Sequence, residues 1–203
     1  TNPEGDRALT ADGRSDRALT TNPEGDRALT ADGRSDKSLT TNNGGSVVSY
    51  ILPISQATRD TNRGRTEPSR AWAHTRYHGE AFNDALRREI VAFFEGLGYR
   101  AVAPAIRADF AWVETSSGPA SYWSERHVAY AAGLGTFGLC DGLITPAGKA
   151  MRCGSVVTSA PLPATPRSYE QHRAYCVSYL DGRCAVCAER CPAGAISLQG
   201  GHD

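Results

Sequence analysis

Long apolar runs are missing from this 203-residue chain. No stretch approaches the roughly 20 apolar residues that a membrane-spanning helix needs, so no helical membrane span is expected. An excess of either charge is missing too. Lys plus Arg and Asp plus Glu stand at 22 each, so no global field draws the chain to nucleic acid or to an anionic membrane. The first residues hold no basic start followed by an apolar core, the pattern of a secretory signal. The reducing cytoplasm is the expected compartment.

What the chain does have is thiols near one end. Cys184, Cys187 and Cys191 stand in the order C-x2-C-x3-C-P, closed by Pro192. This is the tail of the bacterial ferredoxin run C-x2-C-x2-C-x3-C-P. The first cysteine of that run falls at 181, where the chain has Asp181, and Cys176 lies just upstream as a replacement. The spacing has a physical reason. Two intervening residues let neighbouring thiolates reach adjacent irons, and peptide N–H groups of so short a loop can bond cluster sulfurs. Pro192 fixes φ and lacks an N–H, which suits the first turn of a new helix over residues 193–196. A [4Fe–4S] cluster on Cys176, Cys184, Cys187 and Cys191 is the preferred reading. One structural zinc, or disulfides in an oxidising compartment, are the alternatives.

Residues 1–40 are a decapeptide written four times, TNPEGDRALT, ADGRSDRALT, TNPEGDRALT and ADGRSDKSLT. Each unit has one strong apolar residue (Leu9, Leu19, Leu29, Leu39) among turn formers, too little to bury a helix stripe or a strand face. Disorder is expected there, with a Gly/Asn-rich linker at 41–46, so that residues 1–46 form a region apart.

The globular part, residues 47–166, starts with a β-branched, aromatic strand at 47–53. A polar wrapping segment over 56–76 is expected next, with Trp72, His74 and Tyr77 packed beneath it. A helix at 80–97 follows, its stripe formed by Phe82, Leu86, Ile90, Phe93, Phe94 and Leu97, with Arg87, Arg88 and Glu95 to solvent. A short strand at 99–104 completes a strand–helix–strand unit with parallel strands. Phe110 and Trp112 are expected to pack. Ser124 caps a helix that begins with Glu125 and ends at a glycine loop carrying Gly133, Gly135 and Gly138. That loop is either a C-cap and turn or a close backbone approach to a ligand. Segments 143–146 and 154–158 read as a hairpin. Cys140 and Cys153 read as small buried hydrophobes, and His127 as a structural histidine.

Taken together, Ser124-Glu125-Arg126, the run Gly133-Leu134-Gly135-Thr136-Phe137-Gly138, Leu143-Ile144-Thr145-Pro146 and Arg152-Cys153-Gly154-Ser155-Val156-Val157-Thr158 form a recognisable order. It resembles the epoxyqueuosine reductase-like iron–sulfur proteins, relatives of the corrinoid-dependent reductive dehalogenases. The resemblance spans roughly residues 47–203. It implies an α/β (α+β) domain with a mixed sheet, followed by a small ferredoxin-like iron–sulfur module at 167–203. It implies a cobalamin site to which Glu125, Arg126, Gly133, Gly135 and Gly138 contribute. It also implies an oxidoreductase in which the cluster passes single electrons to a second redox centre such as that corrinoid. A redox partner protein or a small-molecule substrate is the implied partner, and tRNA is one by resemblance only. Short relatives use C-x7-C-x2-C-x3-C-P, which Cys176 to Cys191 match. Three departures stand out. The family's portion ahead of the first strand and its second cysteine group are not here, so part of a longer protein is expected. The family's Asp-Thr-Gly-Pro stretch, source of its catalytic acid, corresponds to Ser117-Gly118-Pro119-Ala120-Ser121. Reduction of a tRNA epoxide is therefore not assigned.

Overall fold

The structure, a computed structural model, describes residues 44–64, 67–116, 118–199 and the backbone of 201–202. The repeat at 1–40 lies outside them. The fold is mixed α/β with antiparallel sheets. Its centre is β7 (Met151–Thr158), numbered in chain order, an eight-residue strand rich in small and β-branched residues. β1 (Ser46–Pro53) pairs with it along its whole length, from Ser46 opposite Thr158 to Pro53 opposite Met151. β2 (Ala101–Val102) pairs with its other edge. Flanked on both sides, β7 buries Ser155, Val156 and Thr158 completely.

The expected strand–helix–strand unit is thus present in altered form. β1 and β2 run the same way, since each is antiparallel to β7, but β7 lies between them. The hairpin expected from 143–146 and 154–158 is corrected. β6 (Leu143–Ile144) pairs instead with β5 (Thr136–Phe137), because the connection between them closes as a tight turn in which Gly138 N donates to Gly142 O at 3.0 Å; a second turn, through Thr145 and Gly148, follows at once. Thr145 Oγ1 donates to Gly148 O at 2.8 Å, and Gly148 sits at φ +93°, where only glycine is unstrained.

Two helices connect β1 to β2. α1 (Gln56–Asn62) is capped by Ser55, whose Oγ accepts from Thr58 N. α2 (Arg70–Gly96) is 27 residues long and capped by Ser69, whose Oγ accepts from Trp72 N at 3.1 Å. The wrapping loop expected over 56–76 is therefore largely helical, and Tyr77 is exposed rather than packed beneath it. The apolar stripe of α2 is corrected as well. Phe82, Phe93 and Leu97 are about three-fifths exposed, at 61, 62 and 58%. The inward face carries Asn83, Arg87 and Phe94, so Arg87, expected in solvent, is only 3% exposed. Trp112, expected to pack, is 69% exposed. It stands in β3 (Trp112–Thr115), which forms a hairpin with β4 (Gly118–Ser121).

α3 (Glu125–Ala131) buries Val128, Ala129 and Tyr130. Ala129 and Tyr130 join Phe137, Leu143 and Tyr169 in a core cluster. The segment after the prolines is tied onto this body: Phe137 N donates to His172 O at 2.9 Å, and Tyr175 N donates to Thr136 Oγ1 at 2.9 Å. Beyond it come α4 (Val177–Asp181), α5 (Val186–Glu189) and the two-residue pair β8 (Ile196–Ser197) and β9 (Gly201–His202). The helix expected after Pro192 is not formed. Gly194 takes φ +62° and the chain passes straight into β8.

Candidate functional site

The inward face of α2 and the start of α3 line an open cleft of about 690 Å³ in which charged side chains stand among apolar ones. Its wall carries Glu80, Asp84 and Arg87 from α2, Glu125 and Arg126 from α3, and Trp112 from the β3–β4 hairpin. Arg87 organises it. Its Nη1 meets Glu80 Oε1 at 3.0 Å and Asp84 Oδ1 at 2.6 Å. Its Nη2 lies 3.2 Å from Glu125 Oε1 and donates to Cys153 O at 3.3 Å. The planar fork of a guanidinium can serve several acceptors at once, which one ammonium cannot. Burial works against the charge, but the Glu80 hydrogen bond and the surrounding carboxylates outweigh it and hold the Arg87 pKa above its ordinary value.

Glu125 is the most enclosed of these carboxyls. Its Oε2 accepts from Ser155 Oγ at 2.5 Å, and Ser155 Oγ accepts from Trp123 Nε1 at 2.9 Å. Its Oε1 is buried and has the Arg87 charge beside it, yet no hydrogen bond of proper geometry. Burial raises the Glu125 carboxyl above the usual carboxylate range, against the pull of Ser155 and Arg87. Glu80 goes the other way. Burial opposes its ionisation, yet the Arg87 hydrogen bond and the charges of Arg87 and Arg152 hold it below that range. Behind the cleft, Tyr50 Oη donates to Asn83 Oδ1 at 2.9 Å, and Asn83 Nδ2 donates to Cys153 O at 2.9 Å. Burial pushes the Tyr50 phenol up to about 12.

The residues expected at a cofactor site divide into two groups. Glu125 and Arg126 line the cleft, and Arg126 also donates to the Asp141 carbonyl. The three glycines lie in the turn that follows α3. Gly133 N donates to Tyr130 O and Gly138 N to Gly142 O, while Gly135 N donates to Tyr169 Oη at 3.4 Å. A Cβ on Gly135 would lie 2.3 Å from Ile144 O, so glycine is what lets this loop reach β6. His127 is satisfied, with Nδ1 2.7 Å from Ser124 Oγ and its ring 4.8 Å from that of Phe137.

The cysteines are all free. Cys176 is buried at the start of α4, Cys187 lies in α5, and Cys184 and Cys191 are half-buried on either side of α5. The donors are of the type iron–sulfur clusters use. Among the described residues, however, no three of them, nor any three His, Cys, Asp or Glu side chains, are gathered as a metal would require. The arrangement therefore does not fit a cluster already in place. The segment also lacks a core of its own, since Leu180, Val186 and Leu198 are more than half exposed. Cys140, expected to be a buried hydrophobe, is half-buried and accepts from Lys149 Nζ at 2.7 Å. Burial opposes its ionisation, but Lys149 and the Gly142 N–H hold its thiol below the ordinary range. Burial pushes the Cys153 thiol up to about 12.

This is a mixed α/β body with a charged cleft and a thiol-rich segment packed beside it. No family model and no curated protein matches the chain. Among solved structures it is similar to epoxyqueuosine reductase from Bacillus subtilis, at 16% identity and a TM-score of 0.44. The alignment covers 100% of this chain and 48% of that one, so the chain spans about half the length of that structure. No helix among the described residues is long and apolar enough to cross a membrane.

Proposed function

We propose that this chain is part of an iron–sulfur oxidoreductase, in which Cys176, Cys184, Cys187 and Cys191 hold a [4Fe–4S] cluster. The observation that carries the reading is the cysteine spacing closed by Pro192. The exposed apolar side chains of residues 177–198 support it. A small segment with no core of its own gains its order from a metal, and metal binding is then coupled to folding. The cluster would supply single electrons. The chain's own part is to present that segment against the α/β body and to hold a partner in the cleft of Glu125 and Arg126. The partner is a small-molecule substrate or a second redox centre, a corrinoid being the one the motif order implies.

Purification without oxygen and a visible spectrum test this. A broad iron–sulfur absorption that is lost in Cys184→Ser and Cys187→Ser is expected. Zinc as the only bound metal would replace the proposal with a structural zinc module. A cluster with no corrinoid retained by the assembled protein would leave a ferredoxin-like carrier.

A further inference from the structure

The first half of α2 carries two histidines, His74 and His78, that stand outside both the core cluster and the cleft. Both are exposed. Residues four apart on a helix share one face, and here the two rings meet edge to face with centroids 5.7 Å apart. Tyr77 leans edge-on against His78 at 5.1 Å. The backbone beneath the pair is fixed. Arg152, from β7, donates through Nη2 to the Thr75 carbonyl at 3.1 Å and to the Arg76 carbonyl. Two imidazoles on a pinned helical turn are a chelating pair, as in the H-x3-H frame of zinc sites on helices. Metal–nitrogen bonds of about 2.0–2.1 Å would bring the two centroids to about 5 Å. The observed 5.7 Å needs only a small turn of two exposed side chains.

We propose that His74 and His78 bind one divalent transition-metal ion of the class Cu²⁺, Ni²⁺ or Zn²⁺. The donor set fixes that class. Imidazole suits these ions, whereas Mg²⁺ and Ca²⁺ need oxygen ligands. Glu80, the first acid along α2, is held by Arg87 and Arg152 and does not join the pair. Among the described residues no third His, Cys, Asp or Glu completes a group of three, so water fills the remaining positions. The ion clamps one turn of α2. The pair is assembled only when that turn is helical, so binding favours the folded chain. The site is independent of the cysteines and of the iron–sulfur reading.

The test titrates metal into the full chain, with its histidine rings isotope-labelled, and follows them by NMR. Ni²⁺ should broaden the His74 and His78 ring signals together, Zn²⁺ should shift the same two, and Mg²⁺ should move neither. His74→Gln or His78→Gln, each at an exposed helix position that glutamine suits, should weaken the response of the remaining ring. The loss should be about tenfold or more, at least what removing an outer-shell partner costs. Signals are read residue by residue, so Ni²⁺ taken by the cysteines is not counted. An unchanged response of the remaining ring in the single variants would overturn the chelate and leave two ordinary surface histidines. An equal response to Mg²⁺ would overturn the class of ion. Denaturant unfolding reads the clamp. Zn²⁺ at about 100 times its Kd should raise the folding equilibrium constant of the wild type about 100-fold over its effect on the double variant His74→Gln/His78→Gln. The same effect on both proteins would overturn the clamp. Iron found or not found on the cysteines decides the cluster reading and leaves this result unchanged.

Discussion

Arg87, from the middle of α2, and Glu125, the first residue of α3, face each other at 3.2 Å across the wall of the cleft. Arg87 is 3% exposed and Glu125 16% by side chain. The contact joins the two helices that pack on β7, and it places one cation among three carboxylates. Arg87→Met should therefore destabilise the fold by about 3–5 kcal/mol, because the enclosed Glu125 is left without its counter-charge. Arg87→Lys should recover only part of this, since an ammonium cannot span the positions of Nη1 and Nη2. Denaturant midpoints of the three proteins check the order.

Ser155 bridges Trp123 Nε1 and Glu125 Oε2 while fully buried. Ser155→Ala strands both groups and should cost about 1–3 kcal/mol. The Glu125 carboxyl should then titrate at higher pH than in wild type, because a hydrogen bond to its charged form is gone. Carbon-detected NMR of labelled glutamate reads this directly.

Tyr50 gives the pH dependence. Burial foremost raises its phenol from 10.0 to about 12. A group whose folded pKa is raised contributes stability that is complete below the unfolded value and is lost as pH rises through the folded one. Stability should therefore decline between about pH 10 and 12, and Tyr50→Phe should remove that part of the decline. Absorbance of ionised tyrosine against pH, with unfolding measured in parallel, checks both statements.

Gly154 pairs with Tyr50 across β1 and β7. A Cβ there would lie 2.3 Å from Tyr50 Cζ and Oη. Tyr50 is held by Asn83, so its ring does not swing clear freely. Gly154→Ala should cost about 1–3 kcal/mol through overpacking, and the loss should shrink in a Tyr50→Phe background. A double-mutant cycle tests the coupling.

Several parts of this fold were legible in the sequence. The β-branched run at 47–53 is β1, residues 125–131 are a helix stopped by glycine, and 154–158 belong to a strand. What misled was the assumption that α2 buries its most apolar stripe. The helix instead turns Asn83 and Arg87 inward, because the surface it meets offers the Cys153 carbonyl, Tyr50 and Glu125 as polar partners. A hydrophobic pattern cannot report a buried charge whose most enclosed partner lies 38 residues away, from Arg87 to Glu125. Glu125 and Arg126 were singled out through the motif order, and both line the cleft, while Gly133, Gly135 and Gly138 lie in the turn after α3. Cys140 was missed because a single cysteine outside a spacing carries no signal; its lysine partner is set by the turn through Gly142.

Iron and acid-labile sulfide counted on anaerobically reconstituted protein, with the electron paramagnetic resonance spectrum after reduction, test the central claim most directly. The account predicts about four irons and four sulfides per chain, a signal from a one-electron-reduced cluster, and loss of both in Cys184→Ser. Protein that folds, retains zinc but no iron, and stays silent after reduction would contradict it.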